Sequence, residues 1–562
     1  MAMGASHKKI TNMKITAMNN SWGVFLVLFY CLVSLFTSNV SADTEEASFE
    51  SLTAGLTQSS FKKKATAVES VAALEDERVL PLLEAMLAGD LYYRKSDKRI
   101  VIVAAAEEGY QLTSVDTEED LGVVGKRDVK KISTNNKLRK QLRIQVAGYK
   151  LLSKDAALRM TAAEDLIKTP SPEFLDVLQG AIKKEKSKSV KKALQVARAV
   201  ILLDSENEVD RIQAVKDMGG FPNKYTMAML RQVVRKNDDG TFSEPSKLVR
   251  EGAESALQGL QAMETGYKFV EDLFFGVSLG SVLLLAAVGL AITFGVMGVI
   301  NMAHGEMIML GAYTTYVIQL LMPNHIEASL IVAVPAAFLV SGLMGVIIER
   351  TVIKHLYGRP LETLLATFGI SLILQQLVRS VFSPLNRSVT TPEWMSGSLH
   401  INGFLSLTYN RLYIIIFALV VLFGLMLLLK KSFFGLQMRA VTQNRTMASS
   451  MGIRTGWVDA MTFGLGSGIA GIAGVALSQL TNVGPNLGQS YIIDSFLVVV
   501  FGGVGNLWGT LVAAMSLGVA NKFVEPWAGA VLAKILILIF IILFIQRRPR
   551  GLFALKGRFV EG

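Results

Sequence analysis

Cysteine is almost absent from this chain: Cys31 is the single one among 562 residues. One thiol cannot form a disulfide within the chain, and thiolate chemistry in its main body is excluded. A phosphate-cradling GxxxxGK[ST] loop is also missing, so work against a gradient would need nucleotide hydrolysis from another subunit. No cluster of His, Cys or paired acids marks a catalytic centre, and neither a cofactor nor a metal ion is expected. The net charge of +11 does not signal nucleic acid, because the lysines of the first half alternate with acids and those of the second half sit in loops.

What is present divides in two. Mean hydropathy is +0.41, too high for an ordinary soluble protein, yet residues 43–272 are charged and rich in Ala, Leu, Lys and Glu. From residue 273 onward apolar runs dominate. Ahead of both halves, Lys8, Lys9 and Lys14 precede the run WGVFLVLFYCLVSLF, with Val40 and Ala42 at the small positions of a cleavage site, the order of a secretory signal peptide. Its fifteen apolar residues, at about 1.5 Å each, reach only about two-thirds of a hydrocarbon core. The expected organisation is a signal peptide at 1–42, a secreted domain at 43–272 and a membrane domain at 273–562.

The secreted half carries a repeat. A basic residue is followed at +3, +4 and +7 by small or apolar ones: Lys64 by Ala67, Val68 and Val71, Arg159 by Ala162, Ala163 and Leu166, Arg211 by Ala214, Val215 and Met218. Offsets +15, +16, +18 and +19 give Val79, Leu80, Leu82 and Leu83, then Phe174, Leu175, Val177 and Leu178, then Thr226, Met227, Met229 and Leu230. Two short amphipathic helices joined by a tight turn fit that spacing. The domain is similar to an irregular HEAT-type helical stack, with a small strand insertion over 100–124. The expected fold class is all-α, a polytopic helical membrane domain behind a secreted helical-repeat domain.

In the membrane half, apolar segments near 274–300, 303–322, 328–348, 363–382, 412–429, 458–480, 507–524 and 531–546 are candidate spans. With the first span running inward, Arg350, Lys354 and Arg359 of one loop and Lys430, Lys431, Arg439, Arg445 and Arg454 of another fall on the cytoplasmic side. The basic tail QRRPRGLFALKGR falls there too only if the short piece at 490–503 counts as a further crossing. A half-length or re-entrant element is expected there, broken by Gly502, Gly503 and Gly505.

Two motifs fire falsely. GVSLG at 276–280 matches a hydrolase elbow but lies in an apolar helix with no triad. GSGIAG at 466–471 matches a dinucleotide fingerprint, yet in a membrane helix small residues serve close backbone approach. The loop FFGLQMRAVTQNRTMASSMGIRTG is different, because its apolar positions recur at helical spacing. It reads as a cytoplasmic amphipathic helix that docks a motor subunit, with Ala440, Ala448 and Met451 on one face and Gly435, Arg439, Asn444 and Gly452 in the same element.

The runs GVINMAHGEMIMLGAYTTY, ETLLATFGISLILQQ, GLQMRAVTQNRTMASSMGI and NVGPNLGQSYIIDSFLVVVFGGVGNLWGT, with the tail RRPRGLF, together resemble the branched-chain amino acid and urea permeases of ATP-binding-cassette importers. The long helical domain ahead of them, including NNKLRK at 135–140, resembles the urea-type permeases. The resemblance implies a multi-pass subunit of the bacterial inner membrane, surrounded by membrane lipid, with its N-terminal domain in the periplasm. It implies as partners two ATP-binding subunits, a second permease subunit and a periplasmic solute-binding protein. Phe368 stands where many relatives have tryptophan.

Polar side chains inside the spans are the candidates for the solute path. Asn301, His304 and Glu306 could line it or could brace a helix end. For urea, which is neutral and planar, amides, hydroxyls and carboxylates suffice, and Thr367, Gln375, Gln376 and Asp494 meet that need. Import of branched-chain amino acids or short amides is the neighbouring reading. A membrane-anchored envelope scaffold is the reading from another class.

Overall fold

The computed structural model describes residues 49–553, apart from Glu50, Glu75, Glu107, Glu108 and Glu118, so the expected signal peptide and the end of the basic tail lie outside the described residues. The chain divides into two compact units, one running to residue 257 and the other from 258 onward, with 222–224 belonging to the second.

The first unit begins with helices α1 (Phe61–Ala72) and α2 (Val79–Ala88). It continues through α3 (Asn136–Leu152), α4 (Ala156–Lys168), α5 (Leu175–Lys184), α6 (Lys188–Leu202), α7 (Glu208–Gly219) and α8 (Lys224–Val233). The repeat becomes packing. The +4 and +7 positions (Val68 and Val71, Ala163 and Leu166, Val215 and Met218) are all buried. So are the +15 and +19 positions: Val79 and Leu83, Phe174 and Leu178, Thr226 and Leu230. These positions share the inner stripe of their helices, and the intervening polar residues face water.

The basic residue that leads each repeat is a staple. Lys64, itself buried, donates from Nζ to Ser133 O at 2.9 Å. Arg159 Nη1 donates to Ser153 O and Lys154 O at 2.7 and 3.0 Å, while Nε and Nη2 grip Glu185 at 2.6 and 3.0 Å. Arg211 repeats the pattern on Ser205 O and Glu206 O at 2.8 and 3.0 Å, and on Glu244 at 3.1 and 3.0 Å. Both carboxylates then accept a backbone N–H two residues on, from Ser187 and Ser246. Each arginine staple thereby ties a helix start to the turn before it and to a distant turn. Asn135 of the NNKLRK stretch caps α3, its Oδ1 accepting from Leu138 N at 2.8 Å.

An all-α class does not describe this unit. Between α2 and α3 stands a five-stranded antiparallel sheet, β1 (Leu91–Arg94), β2 (Ile100–Ala106), β3 (Gly109–Ser114), β4 (Asp120–Val124) and β5 (Val129–Lys131), in the order β4-β3-β2-β1-β5. It is larger than the insertion expected over 100–124. Alternation explains it: Val101 and Val103 of β2 join Leu112 and Val129 in one cluster, while Ile100 and Ile102 turn to the helical core with Leu91, Val115 and Ile132. With both faces engaged, a helical stripe is not available to these residues.

The long helix α9 (Lys247–Met297) starts in the first unit, enters the second at residue 258 and runs without a break through the expected domain boundary at 272/273. After it come α10 (His304–Leu321), α11 (Ile326–Thr351), α12 (Pro360–Phe382), α13 (Tyr409–Lys431), α14 (Phe433–Gln443) and α15 (Arg445–Ser450). The last four are α16 (Thr455–Ser478), α17 (Leu487–Gly502), α18 (Leu507–Ala528) and α19 (Ala530–Arg547), and a short hairpin, β6 (Ser398–His400) with β7 (Ser406–Thr408), precedes α13. Among the described residues seven helices are long and apolar enough to cross a membrane. The segment at 303–322 is not one of them. It forms the 18-residue α10, whose His, Glu, Gln and Thr residues lower its hydropathy. The piece at 490–503 is the 16-residue α17, which stops where Gly503 takes φ +103°, a conformation other residues adopt with strain.

Glycine sets the packing of this unit. On α16 a Cβ at Gly466 would lie 2.7 Å from Gly289 O of α9, and one at Gly471 would lie 2.5 Å from Ala337 O of α11. A Cβ at Gly474 would run into Ile308 O of α10. The stretch that mimics a dinucleotide fingerprint is thus the seam where α16 meets three neighbours. Gly276 and Gly280, the false hydrolase elbow, do the same for α9 against α18, with Cβ positions 2.6 Å from Val519 Cα and 2.8 Å from Ala514 O.

Candidate functional site

Helix α9 ends at Met297, Gly298 turns the chain with φ +69°, and regular helix resumes only at His304. This interruption lies inside the packed helices, where every freed backbone group needs a partner. Two of the expected residues supply partners, and a third braces the turn to α9. Asn301 Oδ1 accepts from Ala303 N at 3.0 Å, and Thr367 Oγ1 on α12 accepts from Met302 N at 3.1 Å. His304 Nε2 hydrogen-bonds Ala286 O of α9 at 2.9 Å; since a carbonyl only accepts, the proton is on Nε2.

Glu306, on the first turn of α10, faces α12. Its Oε1 accepts from Ser371 Oγ at 2.9 Å and from Gln375 Nε2 at 2.8 Å. Thr367, Ser371 and Gln375 are four residues apart and form one stripe of α12, all buried. Ser371 was not anticipated, although that spacing from the two flanking candidates would have identified it. Asn301, His304 and Glu306 are 1%, 0% and 1% exposed, and each retains an orphaned atom: Asn301 Nδ2, His304 Nδ1 and Glu306 Oε2 have no hydrogen-bond partner among the described residues. The structure therefore brings together Asn301, His304, Glu306, Thr367 and Gln375 at one junction of α9, α10 and α12.

Gln376 and Asp494 are elsewhere. Gln376 is exposed and points away from the Gln375 stripe of α12, because adjacent helical residues diverge by about 100°. Asp494 on α17 is engaged by Lys534 of α19, with Nζ 3.1 Å from Oδ2, so its charge is already matched. The junction offers donors and acceptors in a buried setting, which suits reversible hydrogen bonding of a small polar solute. Among the described residues no group of three or more His, Cys, Asp or Glu is arranged to hold a metal ion.

The loop expected to dock a motor subunit is two helices, α14 and α15, with Asn444 between them as the cap of α15, its Oδ1 accepting from Met447 N at 2.9 Å. Ala440, Ala448 and Met451 do not form one face. Ala448 is buried and Ala440 packs against the core of the unit, whereas Met451 is 78% exposed. Small residues here let the helices sit close to their neighbours, and the outward apolar groups are Phe433, Leu436, Met447 and Met451. Gly435 abuts the Leu429 backbone, Arg439 Nη1 donates to Leu429 O, and Gly452 turns the chain out of α15 with φ +87°.

A family model described as the branched-chain amino acid transport system permease component matches residues 273–545. The chain is 31% identical over 295 residues to the high-affinity branched-chain amino acid transport system permease protein LivH of Salmonella typhimurium, an alignment covering 50% of this chain and 95% of that protein. LivH of Escherichia coli K12 is 30% identical over 296 residues, with 50% and 95% covered. The permease protein BraD of Pseudomonas aeruginosa is 28% identical over 295 residues, with 51% and 96% covered.

Proposed function

The chain belongs to the permease components of branched-chain amino acid transport systems, and from that premise we propose that it forms the membrane path of an ATP-binding-cassette importer together with a second permease subunit. Two ATP-binding subunits supply the energy, docking on α14 and α15, and a periplasmic binding protein delivers the solute. The path works by alternating access around the interrupted α9–α10 junction. The observation that carries this is the trio of orphaned atoms on Asn301, His304 and Glu306 beside the Ser371–Gln375 pair. A purely bracing cluster would have no use for them, since each unmade hydrogen bond is unfavourable by about 1–3 kcal/mol.

Branched-chain amino acids are the first solute to consider, because the relatives' names specify them. Urea is the second, and one observation favours it: among the described residues Glu306 hydrogen-bonds Ser371 and Gln375 and no Lys or Arg, and a zwitterion's carboxylate would lack a fixed cation there. The long domain before the family match, periplasmic and HEAT-like in this reading, also agrees with the urea-type resemblance. The orientation follows the basic residues after α11 and α13, which belong on the cytoplasmic side.

Uptake of labelled leucine and labelled urea by cells lacking the chain, then supplied with it or with Glu306→Ala, tests both levels. Restored leucine uptake selects the first solute and restored urea uptake the second. Restoration of neither overturns the importer. Full uptake with Glu306→Ala removes the junction from the path.

A further inference from the structure

One ionic contact of the second unit joins α15 to α16. Arg445 opens α15 and Asp459 sits on the first turns of α16, with Nη2 2.5 Å from Oδ2 and Nη1 3.2 Å from Oδ1. The acid's side chain is 1% exposed. The same guanidinium lies 4.2 Å from the centre of the Tyr357 ring, in the turn that joins α11 to α12. A single side chain thus fastens three segments: α15, α16 and the α11–α12 turn. Glu349, also 1% exposed in its side chain, ends α11 with Oε2 lacking a hydrogen bond and Arg350 Nε 3.7 Å away.

As a source of stability this is a poor arrangement. A buried carboxylate loses hydration, and replacing a buried pair with apolar groups is often neutral or favourable. A two-point fork with a stacked ring does something else, which is to fix direction: neither segment can swivel against the other without breaking both bonds. Beyond Asp459, α16 is equally unable to slip. Its glycines at 466, 471 and 474 lie against α9, α11 and α10, and α10 carries Glu306.

We propose that the Arg445–Asp459 fork, stacked on Tyr357, is the joint through which α14 and α15 move α16 and hence the α10 side of the polar junction. Arg445 and Asp459 are positioning residues that touch neither solute nor nucleotide, and their role rests on the importer reading above. Glu349 is the second buried carboxylate within the joint. Movement of the docking helices pulls the fork, and the glycine seam passes the displacement on as a rigid body. Without the fork, nucleotide hydrolysis and solute movement separate.

The test is the ratio of solute imported to ATP hydrolysed by the reconstituted complete complex, with Asp459→Asn, Arg445→Leu and Arg445→Lys. Asp459→Asn preserves shape, and Arg445→Lys preserves charge without the fork. Basal hydrolysis and assembly are expected to match the unmutated complex in Asp459→Asn, which lies outside the docking helices. Solute-stimulated hydrolysis and the import ratio are expected to fall roughly tenfold in Asp459→Asn and Arg445→Leu, within the usual range of coupling between sites, and less in Arg445→Lys. An unchanged ratio in Asp459→Asn and Arg445→Leu overturns the joint. Equal loss of assembly, basal hydrolysis and import in all three variants also overturns it, since the pair would then be a folding element. If the unmutated complex shows no solute-dependent hydrolysis, the importer reading itself fails and the joint with it.

Discussion

Arg211 in the first unit and Gly471 in the second stand at comparable places, each where its helix is held most closely to its surroundings. Arg211 holds through four acceptor atoms, the two carbonyls before α7 and the two oxygens of the Glu244 carboxylate. Gly471 holds through having no side chain, so that α16 lies directly against the Ala337 carbonyl. The difference reflects the solvent. In water the burial of Val215, Met218 and Leu230 already drives the helices together, and charge is used to fix turns. In lipid no such drive exists between helices, and close van der Waals contact replaces it.

The largest effect that would break this comparison is expected from removing one partner of a staple. Arg211→Met leaves Glu244, a nearly buried carboxylate, with only the Ser246 N–H and should destabilise the α7–α8 repeat by about 3–5 kcal/mol. Hydrogen exchange on the full chain should show lost protection in α7 and α8 and none in α16. Arg211→Met with Glu244→Leu should recover much of the loss. A single variant that behaves like the unmutated chain would mean the staples are decorative.

The staples show how far the sequence could be read. The spacing from Lys64, Arg159 and Arg211 predicted paired helices and their inner faces, because burial in a soluble helix follows a period. It did not predict Glu185 or Glu244, which lie 26 and 33 residues further on, since long-range partners leave no period. The sheet was half visible: residues of β2 to β4 lay in the expected insertion, but β1, joined to β2 by a short hairpin, fell before it, and β5 pairs with β1 across distance in sequence. In the membrane unit the polar candidates on one helical stripe were brought together, while Gln376 and Asp494 were not. Hydropathy marks a residue as unusual in a span without saying which way it points. The docking face failed for a related reason, as small apolar residues fit an interior as readily as an interface.

A smaller effect separates two kinds of membrane glycine. Gly466→Ala adds a methyl 2.7 Å from Gly289 O and Thr293 Cγ2, and should cost about 1–3 kcal/mol by forcing α16 from α9. Gly424→Ala on α13 meets nothing within 4 Å and should be neutral or stabilise by about 0.5–1 kcal/mol through helix propensity. Thermal unfolding of the detergent-solubilised chain distinguishes them. Equal effects at both sites would remove close approach as the principle of the second unit.

The smallest effect concerns acid, and it is expected at the ion-paired turns of the first unit. The Arg94 guanidinium holds the Asp97 carboxyl at about 2, against an ordinary value of 3.8. Hydrogen bonding from Arg159 likewise lowers Glu185 from its ordinary 4.5. A carboxylate more acidic in the folded state stabilises the fold above its unfolded value, and the contribution disappears as pH falls through the folded one. For Asp97 the window runs from about 4 down to about 2, and for Glu185 the loss begins below about 4.5. Asp97 and Arg94 are partly exposed, their side chains 42% and 31% accessible, so solvent screening keeps their share small. The expected result is a progressive loss of exchange protection around β1, β2 and α4 between pH 4.5 and pH 2, with Asp97→Asn flattening the β1–β2 part alone. Glycine contacts do not titrate, so protection along the α16 seam should persist over the same range. If the seam loses protection first, the division between a unit fixed by charge and one fixed by backbone contact does not hold.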